Sequence, residues 1–231
     1  LGAAFAAING GAQTGATIIV TITGNTSEPA TATLNQGAWT YLYIAPTGGV
    51  ARTISGAIVG PLVEFNSADR VAIDGLNTGG NALTIDNTSN GAGSTLRFVN
   101  DARALGFQNL TLLGASSSTA MGTVFVDIGT GSGGGNDSLV FNNVTISNSG
   151  ANFPVNGVYS AGTAAPGQEN SSIQFQNCSV SNYFSATAAS RGIWANTGNS
   201  EWTITGTKFF QTGSRTYTTA NTHAAIKIST G

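Results

Sequence analysis

Charge is what this 231-residue sequence has least of. Asp, Glu, Lys and Arg together make up 8% of it, against roughly 25% in an ordinary soluble domain. The eight Lys and Arg are scattered and the net charge is −2. No basic stripe is left to neutralise phosphates, so nucleic acid is excluded as a partner. One cysteine, Cys178, permits no internal disulfide. The one histidine, His223, has no Ser-His-Asp or metal-ligand spacing around it and reads as a polar loop residue. No run of 18 apolar residues occurs, so no membrane insertion is expected. The opening LGAAFAAING lacks the basic and apolar regions of a signal peptide.

Small turn residues and β-branched residues fill the space. Glycine alone numbers 32, with Ser, Thr and Asn abundant, yet 40% of the chain is hydrophobic. That is too much apolar surface for a disordered segment. The order in these residues is a repeat. In VAIDGL (71–76), LGFQNLTL (105–112), LVFNNVTI (139–146), IQFQNCSV (173–180) and WTITGTKF (202–209), the second apolar position falls at Ile73, Phe107, Phe141, Phe175 and Ile204, at intervals of 34, 34, 34 and 29 residues. A second ladder, TLRF, TVFV, GVYS, GIWA and AIKI, starts at 95, 123, 157, 192 and 225, at intervals of 28, 34, 35 and 33.

Within each repeat the apolar period is two, which specifies strands. The alternation then slips by one residue at Gly75, Asn109, Asn143, Asn177 and Gly206. Glycine and asparagine are the residues that tolerate φ > 0, as a sharp bend between two strands demands. A strand that bends and returns about 34 residues later at the same phase describes a coil. The sequence therefore predicts an all-β chain, a single right-handed parallel β-helix. Its expected inward columns are Val71, Leu105, Leu139, Ile173, Trp202; Ile73, Phe107, Phe141, Phe175, Ile204; Leu76, Leu110, Val144, Cys178, Thr207; and Val124, Val158, Ile193, Ile226. Cys178 fills an otherwise aliphatic column as packing.

The expected organisation is one domain. Residues 1–10 form a cap helix with Leu1, Phe5 and Ile8 on one face. A first coil follows over 16–60, built from IIVTI, YLYIA and RTISG, and coils of about 34 residues fill 61–231. At the far end Ala225–Ile228 leaves an open strand edge, which predicts head-to-tail association of rods into filaments.

The segment TIIVTITGNTSEPATATL resembles the first coil of pectate-lyase-like β-helix proteins. FNNVTISN, GNSEWTITGTKFFQTG and RTYTTANTHAAI resemble repeat regions of large type IX-secreted surface proteins of Bacteroidota. The resemblance implies an extracellular or cell-surface location and fixes no activity.

Glycosidases need two carboxyls roughly 5–9.5 Å apart, and the ten acids here are dispersed. The densest group, Asp69, Arg70 and Asp74, reads as a surface ion pair at a coil corner, with Asp74 pointing outward. The loop SGGGNDSL (132–139) resembles the Ca²⁺-binding nonapeptide GGxGxDxU with Ser132 in place of the first glycine. Such sites form between tandem copies and there is one copy, so it reads as a glycine-rich turn. Of seven N-x-S/T triplets, three begin at the bend residues Asn109, Asn143 and Asn177, and so reflect composition. No catalytic residue, metal or cofactor is assigned.

If Val124, Val158, Ile193 and Ile226 point inward, Phe125, Tyr159, Trp194 and Lys227 point outward, with Arg97 before them. Three aromatics in line on a solvent face would form a patch for stacking sugar rings or docking another rod. Loops 114–122, 149–156, 184–191 and 212–224 recur on one side, as repeat insertions on a binding face do. Two functional classes fit. One is a non-catalytic extracellular structural or adhesive module, self-associating or bound to a cell-surface glycan. The other is a carbohydrate-active enzyme of the lyase or hydrolase kind, or a carbohydrate-binding module.

Overall fold

A computed structural model describes residues 1–129 and 134–229. The alternating segments form three seven-stranded sheets, and every pairing within them is parallel. The first sheet stacks Thr17–Ile22, Tyr41–Pro46, Asp69–Asp74, Arg103–Gln108, Asp137–Asn142, Gln174–Gln176 and Thr203–Thr205. In the second are Thr26–Ser27, Ala51–Gly56, Ala82–Asn87, Leu110–Gly114, Thr145–Asn148, Ser179–Ser181 and Lys208–Phe210. The third contains Ala32–Asn35, Pro61–Asn66, Ser94–Val99, Val124–Val126, Asn156–Ser160, Arg191–Ala195 and Ala224–Ile228. The chain visits the three sheets in turn and climbs one strand spacing per circuit, which is a parallel β-solenoid. None of the helices among the described residues is long and apolar enough to cross a membrane.

In-register stacking puts like residues above like. Ile44, Ile73, Phe107, Phe141, Phe175 and Ile204 form one continuous inward column. The rings of Phe107 and Phe141 lie 5.0 Å apart, and those of Phe141 and Phe175 4.6 Å apart at 2°. Phe65 and Phe98 of the third sheet stack on each other and meet Phe107 edge-on. This aromatic pile fills the middle of the rod, and truncating one such ring to alanine costs about 3–5 kcal/mol. Cys178 is buried beside it, its thiol donating to the carbonyls of Phe141 and Gln176.

Helix α1 (Gly2–Asn9) lies over the first strand of the third sheet. It buries Phe5 and Ile8, and Phe5 meets Phe65 edge-on at 6.4 Å. Glu28 holds the helix start by accepting the Gly2 N–H at 2.9 Å.

Two expectations need correction. Residues 16–60 do not make a single coil, because Tyr41–Pro46 stacks directly on Thr17–Ile22 with Thr17 opposite Tyr41. The first circuit is thus 24 residues and the next, Leu42 to Val71, is 29. Their shorter connections break the 34-residue spacing of the later coils.

The second correction concerns Leu76, which does not share a column with Leu110. Leu83 stands opposite Leu110, since residues 77–81 loop out before the strand begins. Asn109, Asn143 and Asn177 adopt φ +55° and Gly206 φ +63°, whereas Gly75 is not left-handed and the turn passes to Leu76 and Asn77 at φ +66° and +48°. Gly75 meets a different demand, because a Cβ there would lie 2.0 Å from the Asn109 carbonyl oxygen of the next coil. The corner is otherwise continuous: the N–H groups of Gly75, Asn109, Asn143 and Asn177 each donate to the following coil.

Candidate functional site

On the outer face of the third sheet, Glu64, Arg97, Phe125, Tyr159, Trp194 and Lys227 stand opposite one another in successive coils. The predicted column therefore exists, but it is not an open aromatic patch. Phe125 and Tyr159 are only 6% and 7% exposed. At a strand spacing of about 4.8 Å each ring is covered by its neighbours, with centroids 5.8 Å apart for Phe125–Tyr159 and 4.9 Å for Tyr159–Trp194. Cations close both ends. Arg97 lies 5.8 Å from the Phe125 ring, while Arg191 and Lys227 lie 3.9 and 4.6 Å from the Trp194 ring. Burial lowers the Arg191 pKa and raises that of Tyr159. Arg97 is itself held by Glu64 at 3.0 Å and by Asp127.

Asp74 ties neighbouring coils together, whereas Asp69 pairs within its own strand. Arg70 pairs with Asp69 at 3.1 Å, and Asp74 stands apart from both. It accepts hydrogen bonds from Tyr43 Oη (3.2 Å) in the coil before and from Gln108 Nε2 (2.7 Å) and Asn109 Nδ2 (2.9 Å) in the coil after. It also accepts the Leu76 N–H at 2.8 Å. Burial pushes its pKa up, but these donors, Asn109 first, outweigh burial and hold the carboxyl below its ordinary value. Asn109 then accepts from Asn143 Nδ2 at 2.8 Å, extending the tie along the corner.

Of the calcium-like loop, Ser132 and Gly133 lie outside the described residues. Its Asn136 and Asp137 serve the fold. Asn136 is fully buried between Ala102 and Asn170, and Asp137 accepts the backbone N–H and the hydroxyl of Ser171 at 2.8 and 3.0 Å.

The loops that lead into the last two strands of the third sheet assemble something the residue columns did not foretell. Loop 211–223 lies on loop 183–190 through Thr218 N and Oγ1 to the Ala186 carbonyl and Asn221 Nδ2 to the Thr187 carbonyl. Arg215 crosses between coils: its Nε donates to Gln211 (3.0 Å) and its Nη2 to Asn182 (2.9 Å), and its guanidinium sits 4.0 Å over the Phe153 ring. Gln211 in turn donates to the Tyr183 carbonyl at 2.9 Å. These contacts frame a cavity of about 260 Å³ lined by the rings of Tyr183, Phe184, Tyr217 and His223 and by Ser190, Gln211 and Arg215.

His223 is not a free loop residue. Its ring stacks on Phe184 at 5.7 Å and leans on Tyr217 at 5.4 Å, and Nδ1 shares a 2.6 Å hydrogen bond with Ser190 Oγ. Ser190 is 1% exposed, so its hydroxyl is closed to an incoming acyl or glycosyl group, and the pair acts as a clamp between loops. Nε2 of His223 is buried and has no hydrogen-bond partner. The signal for this site was present in the spacing. Phe153, Phe184 and Tyr217 fall 31 and 33 residues apart, and Ser190 and His223 33 apart, which is nearly the coil period.

Compared with known proteins, the chain matches no family model, no curated protein and no solved structure.

Proposed function

We propose that this solenoid is a non-catalytic structural or adhesive module of an extracellular surface protein or filament. The observation that carries the reading is the use made of its ionisable side chains. Asp74 ties three coils, Arg97 gathers Glu64 and Asp127 from the coils on either side, and Asp137 holds the coil after it. Carboxylates committed to fixed donors in this way brace a rod and are poorly placed to exchange protons with a substrate. The resemblance to secreted pectate-lyase-like and type IX-secreted repeat regions supports the same location. Incubation with pectin, alginate and neutral glucans is expected to release no reducing or unsaturated ends. Release that disappears in Asp74→Ala would overturn the reading. A carbohydrate-binding role is the second reading, and the loop cavity favours it.

A further inference from the structure

We infer that the cavity between loops 183–190 and 211–223 binds a single neutral sugar ring. The inference rests on the adhesive form of the proposed function and supplies its ligand class. Size comes first. At about 260 Å³ the space falls below the roughly 300–1,000 Å³ of sites for drug-sized ligands, which suits one six-membered ring.

Its walls come next. Tyr183, Phe184, Tyr217 and the His223 ring are flat and mostly apolar, as the C–H face of a pyranose requires, while Gln211 and Arg215 add polar groups to the same lining. Tyr217 is 56% exposed and forms the lip over which a ring enters. The His223 ring is fixed in this wall by its Ser190 hydrogen bond and by its contacts with Phe184 and Tyr217, so it presents a set face to an entering ring.

Charge selects the neutral class. Arg215, in the cavity lining, already has Gln211 and Asn182 as acceptors and the Phe153 face beneath it. The walls contain no carboxylate to receive a basic ligand.

The single histidine of the chain makes the test unambiguous. The imidazole nitrogen and carbon resonances of His223 are followed by NMR while methyl glucoside, methyl galactoside, methyl mannoside and N-acetylglucosamine are titrated separately. At least one should move the Nε2 signal saturably, with a Kd of about 1 mM, as befits one ring. Tyr217→Ala, at an exposed position, should weaken that binding about tenfold or more, and Tyr217→Phe should retain it. Ile19→Ala, at an exposed position in the first strand of the first sheet, should leave it unchanged. No saturable shift with any of the four on a folded rod would overturn the inference, as would equal binding by Tyr217→Ala, or binding confined to uronates. Those failures leave the non-catalytic reading standing, whereas glycan cleavage would sink that reading and leave the cavity's occupant to this titration.

Discussion

The corner ladder supplies a test in which two glycines of the same column respond differently. Gly75 and Gly206 both occupy the bend position that asparagine fills in the three coils between them. Gly206 is there for its φ of +63°. Adding a Cβ costs about 1–2 kcal/mol for the left-handed backbone, and the reduced freedom of the unfolded chain returns about 0.4–1 kcal/mol. The nearest atom, Asn177 Oδ1 at 2.6 Å, belongs to a side chain that can turn away. Gly206→Ala should therefore destabilise by about 1 kcal/mol.

At Gly75 the obstacle is backbone, with the Asn109 oxygen at 2.0 Å and its carbonyl carbon at 2.9 Å. Relief requires the two coils to part, stretching the 2.9 Å bond from the Gly75 N–H to the Gln108 carbonyl. Overpacking of this kind costs about 1–3 kcal/mol and a weakened hydrogen bond about 1 kcal/mol more. Gly75→Ala should thus cost about 3 kcal/mol, and Gly75→Asn no less, although asparagine is the common residue of the column. Urea unfolding followed by far-ultraviolet circular dichroism, compared at matching m values, measures both. Equal midpoints for Gly75→Ala and Gly206→Ala would refute the close-approach account of this corner.

Acid and thiol chemistry add two further tests. Asp74 has a folded pKa below its ordinary value, so its stabilisation is complete above the unfolded value of about 3.9 and is lost as pH falls through the folded value beneath it. Asp74→Asn should flatten the decline in urea midpoint between about pH 5 and pH 3, and an unchanged slope would show that other acids carry it. Burial raises the Cys178 thiol pKa, so a thiol reagent at about pH 8, near the free-thiol value, should label it only as the rod unfolds in urea. Rapid labelling of the native chain would place Cys178 outside the core.

Period-two alternation, the slips at Gly and Asn, and the 34-residue spacing are local properties of the chain. They were enough to specify strands, bends and stacked columns, down to the Phe107–Phe141–Phe175 pile. The inward or outward sense of Val124 and Phe125 was equally legible, because successive strand residues face opposite ways. Three things were decided only in three dimensions. Where one coil closes on the next depends on connection length, so the 24-residue and 29-residue circuits became visible only through the Thr17–Tyr41 and Leu42–Val71 pairings. Whether an outward side chain meets water depends on what stands one strand spacing above and below it. That is why Phe125 and Tyr159, correctly placed on the outer face, are nonetheless buried. The loop cavity needed both loops docked before Ser190 could meet His223 and Arg215 could reach Phe153. Loops carry no periodic burial to announce such contacts, and it is the stacking of the coils beneath them that brings residues about 33 positions apart into one site.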